Sequence, residues 1–258
     1  MRTMIRCLWI TCWMISAVRA QTDAPNDPQT NPQEAEITWK QVPSDILRAQ
    51  KQIWLFPTEV ARGRHIGPTL LVLGSTAGLM AFDPTEARYF RDNSHFYYGL
   101  NHRLSGSATT AGMLAIPAAF YLTGLVRKDT YSKNTALLAA EAVLDVEIPT
   151  LVLRNTTRRL RPLDVAPGDN FSDTWFKTTG NPLTAKGSFP SGHSAAAFAI
   201  ATVFAERYSR HRWVPFAAYG VAGLVGFSRL SSNSHFLSDV GFGSMLGFSI
   251  SHWVVLRR

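Results

Sequence analysis

The sequence predicts an all-α protein, a bundle of about six core helices, on three observations. Six apolar stretches, residues 68–82, 108–126, 135–153, 194–205, 214–227 and 240–256, are rich in Ala, Leu and Gly and long enough to be helices. No run between them alternates apolar and polar residues around hairpin turns, so nothing reads as a strand. Hydrophobic residues make up 46% of the 258 and charged residues 17%, which supplies a real core and excludes a disordered or collagen-like chain.

The elements follow in order. Arg2 and Arg6 flank an apolar stretch over residues 7–18 that is too short to span a bilayer comfortably, and Val18-Arg19-Ala20 offers a cleavage site. Residues 1–20 therefore read as a signal peptide, with an uncleaved anchor as the competing reading. Cleavage removes Arg2, Arg6 and Arg19 and no acid, so the net charge of +8 falls by three to +5. Cys7 and Cys12, the two cysteines, leave with it, and no thiol remains for a nucleophile or a metal. Residues 21–43, rich in Pro, Asn, Gln and Asp, read as a flexible linker. The helical domain then covers 44–258. Ser44-Asp45 opens its first helix, with Ile46, Leu47, Ile53, Trp54, Leu55 and Phe56 on or near one side and Pro57 ending it. Packing on the body is preferred to lying on lipid, because the polar face is not strongly basic.

Whether the six helices cross a membrane stays open. Two of them, at 194 and 214, fall short of about 20 apolar residues, and mean hydropathy is only −0.02. Glu141, Asp145 and Glu147 are costly in lipid unless they face the bundle interior. Against this, basic residues segregate: Arg127, Lys128 and Lys133 in one loop, Arg207, Arg210 and Arg212 in another, Arg257 and Arg258 at the end. If those mark the cytoplasmic side, the loops at 154–193 and 228–239 face outward. A cleaved signal puts Gln21 outside, and outward loops then require the stretch at 68–82 not to span. The alternative is a wholly exported soluble bundle. No basic stripe interleaves with aromatics, so nucleic acid is not an expected partner.

Three clusters carry chemistry. Arg154 and Arg161-Pro162 are seven residues apart, close to two helical turns, so both guanidinium groups are expected on one face, with Pro162 stopping the helix. Two Arg forks suit a phosphate; alone, the pair reads more readily as a solvated helix end, with Arg158 and Arg159 more of the same. Pro190-Ser191-Gly192-His193 leads into an Ala-rich helix, with Ser191 a natural N-cap and free amides forming an anion site. Ser228-Arg229, His235 and Asp239 complete the set. If helical, His235 and Asp239 share a face, the carboxylate fixing the imidazole tautomer. Each cluster alone has an ordinary structural explanation.

Together they resemble the signature of the type 2 phosphatidic acid phosphatase superfamily, which includes bacterial class A acid phosphatases and vanadium haloperoxidases. That pattern is Lys, six residues, Arg-Pro; then Pro-Ser-Gly-His; then Ser-Arg, five residues, His, three residues, Asp. The second and third motifs match in full, and the first has Arg154 where Lys is usual. The resemblance covers roughly 108–256. It implies His235 as nucleophile through a phosphohistidine, Asp239 orienting it, and His193 as general acid. It implies Arg154, Arg161, Ser191, Gly192 and Arg229 as the phosphate cradle. No metal or cofactor is expected, since the arginines supply charge to the equatorial oxygens. His65, His95, His102, His211 and His252 match no motif. Residues 163–189, with Asp169, Trp175, Phe176, Lys177 and Lys186, are expected to overhang the site.

The expected function is a phosphatase at the outer or periplasmic side, membrane-associated, cleaving a phosphomonoester or a lipid (di)phosphate. A soluble broad-specificity acid phosphatase and a vanadate-dependent haloperoxidase are the alternatives. Arg154 keeps the charge of the usual Lys but is longer and forked, so its contacts with substrate must differ.

Overall fold

Each of the six apolar stretches folds as a helix, and local caps explain where several begin. The computed structural model describes residues 35–178 and 187–257, so the expected signal peptide and most of the expected linker lie outside the described residues. Among those described, nine α-helices run in chain order: α1 (Val42–Ala61), α2 (Ile66–Met80), α3 (Asp83–Asp92), α4 (Ser94–Arg103), α5 (Gly106–Arg127), α6 (Thr130–Thr157), α7 (Gly192–Arg207), α8 (Trp213–Ser231) and α9 (Leu237–Ile250). Ser105 caps α5 by accepting from Ala108 N. Asp129 caps α6 through Tyr131 N and Ser132 N. A π-helical turn, Ser251–Val255, follows α9.

Two boundaries differ from the sequence expectation. Helix α1 continues through Pro57, which is exposed, rather than ending there. Helices α3 and α4 arise from polar and aromatic segments that carry no long apolar run, so no apolar period announces them.

The core lies between α6, α7 and α9. Leu138, Ala142 and Val146 pack on Ala195, Ala199 and Val203, with Ile250 and Val255 closing the cluster. Small residues let α7 and α9 touch backbone to backbone. A Cβ on Gly243 would sit 2.5 Å from Ser191 O, and one on Gly247 2.1 Å from Ala195 O. Ser251 Oγ continues that seam by donating to Ala199 O at 3.1 Å. Glu141 and Asp145 face inward and are buried.

Large apolar side chains also stand exposed on outer faces: Leu70 and Leu73 on α2, Leu114 and Leu122 on α5, Phe216 and Leu224 on α8. Among the described residues, one helical stretch, Ser94–Arg127, is by itself long and apolar enough to cross a membrane. The pair α2 and α3, bent by 49°, passes the same test only if taken as one span.

The five helices α5 to α9 alternate in direction. Arg207, at the end of α7, reaches Thr135 at the start of α6. His252, past α9, meets Glu206. The loops carrying Arg127, Lys128, Lys133, Arg210 and Arg212 therefore share one end of the bundle. Residues just before α1 are tied to that same end: Ile37 N donates to Asn134 and Trp39 Nε1 to Tyr121.

Candidate active site

At the opposite end, the starts of α5, α7 and α9 meet the ends of α6 and α8. Arg154 lies on the last turn of α6, which stops at Thr157 because Arg158 turns left-handed at φ 44°. Arg161 follows in extended backbone, φ −79° and ψ 154°. The two arginines therefore do not share a helical face as their spacing suggested; the helix ends before Pro162 is reached. They still converge on the site, because residues 187–190 are laced to the end of α6. Ser188 N donates to Arg159 O at 2.8 Å, Thr157 Oγ1 to Phe189 O at 3.1 Å and Arg154 Nε to Pro190 O at 2.9 Å.

Ser191 caps α7 as its type predicts, its Oγ accepting from Ser194 N at 3.4 Å. Gly192 is held to glycine by its neighbours: a Cβ would stand 2.7 Å from an Arg154 terminal nitrogen and 3.2 Å from Glu147 Oε1. His193 Nε2 lies 3.1 Å from Gly106 O and 3.2 Å from Thr110 Oγ1. A carbonyl only accepts, so Nε2 carries a proton when it bonds Gly106. Arg229, at the end of α8, bonds Ser228 Oγ through Nε at 3.1 Å and also donates to Leu104 O. A Cβ on Gly106 would lie 3.3 Å from Arg229 and 3.7 Å from His193, so both side chains flank the start of α5.

His235 is 2% exposed and sits in the loop before α9 rather than inside a helix, so the helical pairing with Asp239 does not form. Its Nδ1 donates to Ser188 O at 2.8 Å. Asp239 Oδ2 is 3.7 Å from Nδ1, beyond hydrogen-bond range but within ion-pair reach. The Ser188 carbonyl thus fixes the tautomer and leaves the Nε2 lone pair free. Asp239 acts one step back, accepting from Ser188 Oγ and from Phe236 N at 2.9 Å.

The parts form one electrostatic unit. The charges of Arg154 and Arg161 act on both His193 and His235, and that of Arg161 acts on Arg229. No carboxylate among the described residues lies within 4 Å of Arg154, Arg161 or Arg229 to form an ion pair. The Glu147 charge also acts on Arg154, but three clustered guanidinium groups outnumber it and make a site for an anion.

Burial pushes the His235 imidazole down from 6.5 to about 4, with Asp239 opposing the fall and Arg154 and Arg161 adding to it. The neutral, nucleophilic form therefore persists well below the ordinary histidine range. Activity measured as kcat/KM is expected to hold down to about pH 5 and to drop as His235 protonates near 4. A profile already falling at pH 6.5 on the acid side contradicts this assignment.

Some parts were invisible in the sequence. Arg159 was expected in solvent beside Arg158 but is 2% exposed and paired to Asp83 and Asp239 at 2.6 Å each. Ser188 and Thr110 touch the two histidines without belonging to any motif. Of the segment expected to overhang the site, Trp175 packs on Phe189 and Phe176 stands exposed, while residues 179–186 lie outside the described residues.

A groove of about 680 Å³ opens between α5 and α6 and ends at this cluster. Met113, Leu122, Leu137 and Val143 line it, and Arg154 and His193 stand at its polar end.

Compared with protein families, residues 134–258 match the PAP2 superfamily. Over 75 residues the chain is 44% identical to the lipid A 1-phosphatase of Porphyromonas gingivalis, a match covering 28% of this chain and 17% of that protein. The chain thus spans under a fifth of the curated relative's length. Among solved structures, it is similar to a transmembrane PAP2-type phosphatidylglycerolphosphate phosphatase from Bacillus subtilis, at 24% identity and a TM-score of 0.49, over 73% of this chain and 92% of that one.

Proposed function

We propose, from the match of residues 134–258 to the PAP2 superfamily, that the chain is a phosphoric ester hydrolase acting on a lipid phosphate or diphosphate. The observation that carries the proposal is the set of three arginines gathered around two histidines and the start of α7. Arg154, Arg161 and Arg229, with Ser191 and the Gly192 amide, hold the phosphoryl oxygens. The His235 Nε2 lone pair attacks phosphorus, and the ester P–O bond breaks as His193 gives its proton to the leaving oxygen. His193 then takes a proton from water, whose oxygen displaces His235 and releases phosphate. Fixed cations and amides need no rearrangement as charge builds on the equatorial oxygens, which lowers the barrier.

The groove supports a lipid as the leaving group, since an acyl or prenyl chain lying along Met113 and Leu137 places its headgroup between Arg154 and His193. The 44% identity to a lipid A 1-phosphatase supports the same class. A screen of phosphate release from purified protein tests it, with phosphatidate, lipid A, undecaprenyl diphosphate and soluble phosphomonoesters as substrates. Release from lipids that vanadate inhibits and chelators spare is expected. Release from soluble esters alone, or vanadate-dependent halide oxidation in its place, overturns the proposal.

The exposed apolar faces of α2, α5 and α8 and the basic loops at the far end support a bundle seated in a membrane with the site facing outward. With Cys7 and Cys12 replaced by Ser the chain has no thiol, so single cysteines report topology. Ser172→Cys, near the site, is expected to react with an impermeant maleimide in intact cells, and Thr38→Cys only after detergent. The reverse pattern overturns the outward site, and labelling of both indicates a soluble exported bundle.

A further inference from the structure

Arg159 is a heavily engaged buried cation, and the catalytic roles above do not use it. Its guanidinium lies between two rings, 4.5 Å from the Trp175 centroid and 4.1 Å from that of Phe236. One terminal nitrogen donates to Asp239 Oδ1 at 2.6 Å and to Ser238 Oγ at 2.8 Å. The other donates to Asp83 Oδ2 at 2.6 Å, and Nε to Thr174 Oγ1 at 3.2 Å. Asp83, the first residue of α3, also accepts from Ser238 N at 2.9 Å and from Ser238 Oγ at 2.6 Å. Stacking, two carboxylates and two hydroxyls leave the group one geometry.

We propose that Arg159, clamped by Asp83, is a positioning residue that sets Asp239, and through it Ser188 and the imidazole of His235, for attack on phosphorus. The path is short. Arg159 holds Asp239 by Oδ1, Asp239 holds Ser188 by Oδ2, and the Ser188 carbonyl holds His235 Nδ1. Because the Asp239 carboxylate stands 3.7 Å from Nδ1, a small rotation of it moves Ser188 rather than a direct bond. The clamp is what prevents that rotation. It also ties α3, which approaches from the far side of the loop, to the catalytic segment. A cation serving only as glue has no need to grip the one carboxylate that supports the nucleophile. The inference rests on the phosphatase reading of the site.

The test uses full-length protein and p-nitrophenyl phosphate, with kcat expressed per folded molecule. Lysine at 159 keeps the charge but lacks the fork that reaches Asp83 and Asp239 together. Arg159→Lys is expected to lower kcat by about 10- to 100-fold with KM within about twofold, as for other residues that orient a ligating or catalytic group from behind. Asp83→Asn is expected to lower kcat in the same direction by less. Arg159→Met should fall below Arg159→Lys; should it fail to fold, the other two variants still decide. A lowered melting temperature with unchanged kcat in Arg159→Lys and Asp83→Asn overturns the proposal and leaves the phosphatase reading standing. Wild-type protein that releases no phosphate from any ester sinks both.

Discussion

His235→Ala is expected to abolish phosphate release, by on the order of 10⁴-fold or more, while the protein still folds and still binds phosphate. Removing a nucleophile costs the whole covalent route, and the cradle alone retains only weak stabilisation of the transition state. The cavity left in the loop is small beside the core between α6, α7 and α9. The measurement is the initial rate on the best lipid substrate, with inorganic phosphate or vanadate binding as the control for an intact cradle. Residual activity within tenfold of wild type would mean that some other group attacks phosphorus, and the path from Ser188 to Nδ1 would lose its meaning.

Gly247→Ala is expected to lower stability by about 3 kcal/mol, at the upper end of overpacking costs, and the melting midpoint by about 10 °C. Helix propensity alone argues the other way, since Ala is favoured over Gly in a helix interior by about 1 kcal/mol. The close approach decides the sign. The added carbon would stand 2.1 Å from Ala195 O and 3.0 Å from Ala199 N, both backbone atoms that cannot swing aside. Helices α7 and α9 would have to separate, and with them the starts that carry His193 and Asp239. Gly220→Ala on α8 is the matching control, because nothing lies within 4 Å of its added carbon. Thermal unfolding of both variants in the same detergent makes the comparison; equal midpoints would show that the seam is looser than described.

The helices of the bundle were legible because their information is local. Each apolar stretch carries its own period, and Ser191 marks the start of α7 by side-chain chemistry alone. The motif residues were legible because fixed spacing is a local property too. The geometry between them was not. Arg154 and Arg161 looked like partners on one helix, yet the left-handed turn at Arg158 separates them, and the folded-back segment at 187–190 restores the convergence. Asp239 looked like the direct partner of His235, yet the contact passes through Ser188. Arg158 and Arg159 are adjacent and chemically identical; the arrival of Asp83 and Asp239, 76 and 80 positions away in the chain, helps bury one and leaves the other exposed. Such distinctions belong to tertiary structure and have no signature in a single sequence.

The groove between α5 and α6 runs from Arg154 and His193 toward Trp39 and Tyr121, and it shares Leu114 and Leu122 with the exposed apolar face of α5. With the lipid substrate and membrane seat proposed above, a substrate lying in that groove need not leave its lipid layer, so the concentration that sets turnover would be an areal density. Turnover would follow the mole fraction of substrate among neighbouring lipids, and inert lipid would act as a diluent where added water would not.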